Sequence, residues 1–307
     1  MVVGNTTLLI TMEGTGERTN PWDRIDGAGT PDPSGGDDGA TSPEASVDPR
    51  EAIDIVARRF DFLMAMVDGP VHRPVLQEEL DISRSTAYKG IRELEGLRLV
   101  ERTDRGYRLS LLGTLLLDQY DQFRTNVDAV CTKGPLLSEL AADCDLDVAV
   151  LRGAEVIYAE RHAPHHPLRA LEAMLEEADT LYGMTPVVLP SYIEMFHERL
   201  TVDELVADLV MTRPVVEWLV THQREAFEDV LRTGNLVARR TEEWLPFGLV
   251  FSDDPTTQVG VLVYDSKGDL RGFVVNDTED ALEWAERTWD QYHADSSVVS
   301  MEVVREP

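Results

Sequence analysis

Cysteine is nearly absent: Cys131 and Cys144 are the only two in 307 residues. Two cysteines in a chain this long make neither a disulfide framework nor a zinc finger, and both read as small buried hydrophobes. No apolar run approaches the roughly 20 residues that cross a bilayer. The N-terminal segment Thr6-Thr-Leu-Leu-Ile-Thr11 is short and lacks the basic flank of a signal peptide. The expectation is a cytoplasmic protein with no membrane association. Catalytic signatures are missing too: there is no Gly-x-Ser-x-Gly elbow, no glycine-rich phosphate loop with lysine and no His-Glu-x-x-His. No enzyme activity, catalytic residue, cofactor or bound metal is therefore expected. Positive charge is scarce, with lysine only at Lys89, Lys133 and Lys267, and 28 bases face 57 acids for a net charge of −29.

That imbalance taken alone argues against a nucleic-acid partner, because phosphate repels carboxylate. The acids are spread along every segment, as in proteins of a salt-accumulating cytoplasm, where a dense carboxylate surface keeps molecules apart. In molar salt the Debye length falls to about 3 Å, so a distant acidic surface hardly penalises a local basic patch. Residues 71–110 are such a patch, with eight bases against seven acids, while the rest of the chain has 20 bases against 50 acids.

The hydrophobic share of 43% is that of a folded protein, and the length suits two compact domains. Residues 1–48, rich in Gly, Pro, Ser, Thr and Asp, read as a disordered acidic tail. From Glu51 the apolar residues Ile53, Val56, Phe60, Leu63 and Val67 recur at helical spacing until Asp68-Gly69-Pro70. A short helix from Pro74 to Leu80, a third from Arg84 to Glu95, and strands Leu97–Arg102 and Tyr107–Ser110 follow. Helix, helix, turn, helix, hairpin is the order of a winged helix-turn-helix, assigned to residues 49–112. Leu111 to Val130 read as a long helix, apolar at Leu112, Leu115, Leu116, Phe123, Val127 and Val130, and residues 113–133 are assigned as a linker and dimer surface. Residues 134–293 alternate helices with strands, as an α+β domain, or α/β in this C-terminal part, and residues 294–307 read as a tail.

There, strands are expected at Val148–Leu151, Glu155–Tyr158, Val187–Leu189, Leu236–Ala238, Gly248–Phe251, Gln258–Tyr264 and Arg271–Val275. Helices are expected at Leu136–Ala142, Pro167–Ala178, from Thr201 with Glu204 at capping-box spacing, from Pro214 to about Arg232, and at Thr278–Tyr292.

The third helix carries the strongest signal. Ser83 is placed to cap it. Ala87, Ile91 and Leu94 form its buried stripe, which leaves Arg84, Ser85, Thr86, Tyr88, Lys89 and Arg92 facing outward. Charge, hydroxyl and aromatic groups on one face suit phosphates and base edges in a major groove about 12 Å wide. Arg102 and Arg105 flank the hairpin turn and Arg108 follows, adding cations against a neighbouring phosphate or minor groove. Double-stranded DNA is the expected partner.

The run Ser83-Arg-Ser-Thr-Ala-Tyr-Lys-Gly-Ile-Arg-Glu-Leu-Glu-Gly-Leu-Arg-Leu-Val-Glu101 with Gly106-Tyr-Arg-Leu-Ser-Leu-Leu-Gly113 resembles archaeal and bacterial winged helix-turn-helix regulators. It departs from them at Arg98, where glycine is frequent, with Gly96 two residues earlier. His165-His-Pro-Leu-Arg169, Leu181-Tyr-Gly183, Leu245-Pro-Phe-Gly-Leu249, Gly260-Val-Leu-Val-Tyr-Asp265 and Glu283-Trp-Ala-Glu286 resemble the effector domain of archaeal regulators in the methanogenesis-regulator family, common in haloarchaea. The resemblance implies a transcription factor, dimeric, with an unidentified ligand, and the expected signal is a small-molecule effector or a partner.

Candidate effector contacts are cations and aromatics away from the helix face: Arg169, Tyr192, Arg240, Trp244 and Phe247. His162, His165 and His166 with Glu160 form a histidine cluster, but prolines at 164 and 167 place it in a loop without helical ligand spacing. The leading expectation is a sequence-specific DNA-binding regulator with a sensing domain. Its rivals are a protein-interaction adaptor whose winged helix does not touch DNA, and an enzyme with a regulatory winged helix.

Overall fold

The structure is a computed structural model that describes residues 47–202 and 205–305. The expected tail lies outside the described residues except for Val47 and Asp48. Helices α1 (Pro49–Arg58) and α2 (Phe60–Met64) replace the single first helix. They break at Arg59, whose backbone leaves the helical region at φ −118°. Its guanidinium lies 2.8 Å from Glu93 and ties this corner to the third helix of the hairpin region. After α3 (Arg73–Glu79), α4 (Arg84–Gly96) is capped by Ser83, whose Oγ accepts from the Thr86 amide at 3.2 Å. Ala87, Gly90, Ile91 and Leu94 are its buried face. Gly90 is required there, since a Cβ would lie 2.6 Å from the Phe62 ring.

The end of α4 explains the residue at 98. The Leu99 amide donates to Leu94 O and the Arg98 amide to Glu95 O, the paired bonds of a left-handed helix stop, and Arg98 itself has φ +58°. Gly96 sits two residues too early to take that role and has open space at its Cβ position. Strands β1 (Val100–Thr103) and β2 (Gly106–Leu109) pair antiparallel, and Val71 bridges to Tyr107 as a third short partner. Gly106 (φ +119°) closes the hairpin where a side chain would meet the Val71 carbonyl at 2.4 Å. Ser110 then caps α5 (Leu111–Thr132), its Oγ accepting from Gly113 N at 3.0 Å. The order helix, helix, turn, helix, hairpin, long helix is therefore the one expected.

The remainder is a mixed sheet with helices on both faces, so the fold is α+β. In chain order it runs α6 (Gly134–Leu137), a 3-10 turn (Val148–Val150), β3 (Glu155–Tyr158), α7 (His166–Glu177), β4 (Thr180–Thr185) and α8 (Pro190–Thr201). Then come β5 (Val206–Thr212), α9 (Arg213–His222), α10 (Arg224–Thr233), β6 (Leu236–Thr241), β7 (Gly248–Ser252), β8 (Gln258–Tyr264), β9 (Leu270–Asn276), α11 (Glu279–Ala294), β10 (Ser297–Val298) and α12 (Met301–Arg305). The sheet order is β10-β6-β5-β4-β7-β8-β9-β3, with β4, β5 and β6 parallel and every other pairing antiparallel.

One face, with Phe251, Val261, Val263 and Val274, packs on Trp284, Ala285 and Trp289 of α11. The other, with Leu181, Ala207, Leu262 and Phe273, packs on α7, α8 and α10. Burial on both sides removes the alternation that marks a half-exposed strand. That is why β4 and β5 are absent from the sequence expectations.

Several expectations are corrected. Val148–Leu151 is a 3-10 turn, because the Asp147 carboxylate accepts from Ala149 N at 2.8 Å and Asn276 gathers the carbonyls of Val150 and Arg152 at 2.9 and 2.8 Å. Val187–Leu189 is a loop that leads into α8; the strand lies earlier, at β4. Thr201 ends α8 instead of opening a helix, and Glu204 is outside the described residues. The stretch from 294, expected as a tail, adds β10 to the edge of β6 and packs Val299 and Val304 into the cluster under α9. The cysteines also differ: Cys131 is exposed on α5 and Cys144 half-buried.

Motifs of the family resemblance turn out to be junctions of the sheet. Leu181 is fully buried, Tyr182 stacks on Phe251 at 5.3 Å and meets Trp289 edge-on at 5.2 Å, and a Cβ on Gly183 would lie 2.6 Å from Leu249 O. The Trp289 indole N–H donates to Gly183 O at 3.2 Å. Asp265 closes the β8–β9 turn by accepting from the amides of Lys267 and Asp269 at 2.8 and 3.0 Å, and these bonds hold its carboxyl below the usual range.

Candidate nucleic-acid interface and interior cavity

On α4 the residues Arg84, Ser85, Thr86, Tyr88, Lys89 and Arg92 are all exposed, opposite the buried stripe. Arg84 and Arg92 are two helical turns apart, about 12 Å along the axis, and neither has an ion-pair or hydrogen-bond partner for its guanidinium among the described residues. The same holds for Arg102 and Arg105 at the hairpin. Lys89 is 3.9 Å from Glu93, a contact weakened because Glu93 is already held by Arg59. Several other cations are engaged: Arg108 bonds Glu101 across β1–β2 at 2.6 Å, and Arg58, Arg213, Arg232 and Arg239 each hold a carboxylate.

Tyr88 is half-committed, since the Arg73 guanidinium stacks on both its ring and that of Tyr107 at 5.1 Å, fastening α3 to α4 and the hairpin. Ser83, Ser85 and Thr86 form a hydroxyl cluster, with Ser83 Oγ 2.8 Å from both neighbours. Near the turn, Thr103 Oγ1 donates to Gly106 O and accepts from Arg105 N, so the backbone that carries Arg105 is fixed while its side chain projects.

A cavity of about 120 Å³ lies between the sheet and helices α8, α9 and α10. Leu209, Met211, Leu236 and Leu262 form its floor; Phe196 and Phe227 cover it. Its buried polar groups are the Tyr192 and Tyr264 hydroxyls, 3.0 Å apart. Burial pushes Tyr264 up to about 12 and raises Tyr192 further, so both remain protonated phenols at neutral pH. His197 and Gln223 are the half-exposed polar residues of the lining.

Of the five predicted effector contacts, only Tyr192 lines this cavity. Phe247 is buried on the opposite face of the sheet, 5.7 Å from Trp284. Trp244 is 65% exposed, Arg169 is exposed on α7, and Arg240 sits 3.5 Å from Glu242. Tyr264, Thr185, His197 and Gln223 were missed, because a strand end and a helix start 72 residues apart carry no shared sequence signal. His162 lies 2.9 Å from Glu160 on the surface, and no group of three or more metal-ligating side chains gathers among the described residues. No helix of the described residues is long and apolar enough to cross a membrane.

The described residues thus combine an exposed cationic helix face beside a hairpin with a helix-covered sheet and an apolar cavity. Residues 164–295 match the family described as "Methanogenesis regulatory protein FilR1, middle domain", and residues 51–131 match the family described as "HVO_A0261 N-terminal domain". The first match supports a transcription regulator and a non-enzyme. No curated protein matches the chain significantly.

Solved structures similar at low level include the following two. One is titled "Structure of TrmBL2, an archaeal chromatin protein, shows a novel mode of DNA binding" (13% identity, 82% of this chain and 100% of that chain, TM-score 0.37). The other is the phospholipase D family member Nuc from Salmonella typhimurium (10% identity, 48% of this chain and 97% of that chain, TM-score 0.36). At these TM-scores neither decides between folds or functions.

Proposed function

We propose that this protein is a sequence-specific, dimeric DNA-binding transcription regulator of haloarchaeal type. A winged helix-turn-helix reads the operator, and the sheet domain adjusts that affinity by taking up a small-molecule effector. The observation that carries the reading is the outward row of α4. In a chain with twice as many acids as bases, Arg84 and Arg92 on that row, and Arg102 and Arg105 on the hairpin, keep their guanidinium groups free of carboxylates among the described residues. Exposed arginines left unpaired amid a carboxylate excess are poised for phosphate and base contacts from outside. The regulatory-family match over residues 164–295 supports the same class.

Helix α5 supplies the dimer surface. Leu112, Leu115, Phe123, Val127 and Val130 are exposed at three-, four- and seven- to eight-residue spacing, a stripe that a second copy would cover. The protein is placed in the cytoplasm with its DNA. The test is fluorescence-anisotropy titration of the full chain on genomic fragments selected by its own binding. A saturable, sequence-dependent signal supports the reading. An equal response to any duplex contradicts the sequence-specific part of it.

A further inference from the structure

We infer that the cavity under α8 is the effector site and that its ligand is a small, neutral, mostly apolar molecule, of single-ring size, carrying one hydrogen-bond donor. The inference deepens the sensing half of the proposed function and rests on it for its role in regulation, though not for binding itself.

Size sets the first limit. An apolar cavity of about 150 Å³ accommodates benzene, and the present one, about 120 Å³, is of that order. Charge sets the second. Among the described residues the lining contains no Arg, Lys, Asp or Glu, and an ion buried without a partner costs far more than such a site returns. Phosphates and ammonium compounds are excluded on that ground, and a carboxylate would find only the half-exposed His197 as a partner. Sugars are excluded as well, since each would bury several hydroxyls against Leu, Met, Val and Phe.

The polar handle sets the third limit. Thr185 Oγ1 donates to Val187 O and accepts from Val187 N at 3.3 Å, so its proton is engaged by the backbone. The two phenol oxygens are 3.0 Å apart, and their bond acts to raise the pKa of Tyr192 and to lower that of Tyr264, the pattern of Tyr192 donating to Tyr264. The bond then runs from Tyr192 to Tyr264. It leaves the Tyr192 oxygen with lone pairs that no donor fills among the described residues, in a residue 7% exposed. A ligand hydroxyl or N–H completes the row.

The position also links ligand to frame. Tyr192 is near the start of α8, whose far end is pinned by Arg199 Nε to Leu175 O at 3.1 Å and by Asn235 Nδ2 to Leu200 O at 3.0 Å. The start of α8 is joined to the sheet through the Tyr192–Tyr264 pair, where the ligand docks.

The test is calorimetric titration of the full chain with phenol, toluene and benzoate. Phenol is expected to bind with a Kd below about 10 mM, as seven heavy atoms in an apolar site permit, and benzoate at least about ten-fold more weakly. Tyr192→Phe keeps the ring and removes the acceptor. It should weaken phenol about ten-fold and leave toluene unchanged within about two-fold. Ala226→Trp, which fills the cavity from α10, should abolish both; if it unfolds, Tyr192→Phe carries the test alone.

No phenol binding to folded wild type, benzoate binding as well as phenol, or an unchanged phenol Kd in Tyr192→Phe each overturn the assignment. DNA binding is measured on the same protein. Its loss with phenol binding intact removes the regulator reading and leaves the cavity assignment standing; the reverse result removes the cavity assignment alone.

Discussion

Gly113 and Gly96 are both helical glycines close to the hairpin, and replacing each with alanine should move stability in opposite directions. At Gly113 a new Cβ would lie 1.9 Å from the Leu99 carbonyl oxygen, and an ordinary contact begins at 3.4 Å. The start of α5 must therefore retreat from the β1 approach by about 1.5 Å. That carbonyl accepts from Ser110 N at 2.9 Å and from Ser110 Oγ at 3.1 Å, so the retreat breaks the junction that caps α5. Two such bonds are worth about 1 kcal/mol each. Strain where fully buried Leu99 and nearly buried Leu117 pack adds about 1–2 kcal/mol. The expected loss is about 3–4 kcal/mol, a large share of the stability of an ordinary domain.

At Gly96, where nothing lies within 4 Å of the added atom, alanine should gain about 0.5–1 kcal/mol through lower backbone entropy in the unfolded chain. Urea unfolding followed by far-UV circular dichroism at one fixed salt concentration reads both as shifts of midpoint at constant slope. If Gly113→Ala unfolds within about 0.5 kcal/mol of wild type, or if the two variants shift the same way, the junction described here is wrong.

Further outcomes follow from other sites. Asn276→Ala removes an amide that donates to the Val150 and Arg152 carbonyls and an oxygen that accepts from Thr278 N at 2.9 Å, and should cost about 3 kcal/mol in the same assay; a neutral result would contradict its role as the clamp on the 3-10 turn. Asp265 has its folded pKa lowered by the amides of Lys267 and Asp269, so its contribution is present above the unfolded value near about 3.9 and is lost as pH falls through the folded value. Asp265→Asn should thus be less stable than wild type at neutral pH, with the gap closing below about pH 4 in a pH series of thermal unfolding. Leu115→Glu with Phe123→Glu, both on the exposed stripe of α5, should convert a dimer to a monomer in light scattering without lowering the melting temperature of the fold.

The N-terminal part was legible because its elements are half-exposed and local. Ser83 caps α4 where expected, Ala87, Ile91 and Leu94 are its buried face, and the hairpin turns at Thr103–Gly106. Arg98 shows how far a single residue can be read. Its position demands a left-handed backbone, and the hydrogen bonds of the helix stop hold an arginine there although Gly96 was close at hand.

The sheet was legible at its antiparallel side, where Ser266-Lys-Gly268 marks a hairpin, and not at its centre. β4 and β5 are buried on both faces and joined by crossovers, so Leu181 to Thr185 and Val206 to Thr212 show neither alternation nor a nearby turn. The cavity was illegible for the same reason. Tyr192, Tyr264 and Thr185 meet only through tertiary packing, while Trp244 and Arg240, more conspicuous in sequence, lie on the surface.

The most direct test of the central claim is the salt dependence of DNA affinity for wild type and for the variant with Arg84, Lys89 and Arg92 replaced by alanine. Three lost phosphate-competent cations should lower the slope of log K against log salt by about 2–3 units and abolish preference for the selected site. An unchanged slope and unchanged site preference in a folded variant would mean that the outward face of α4 does not read DNA.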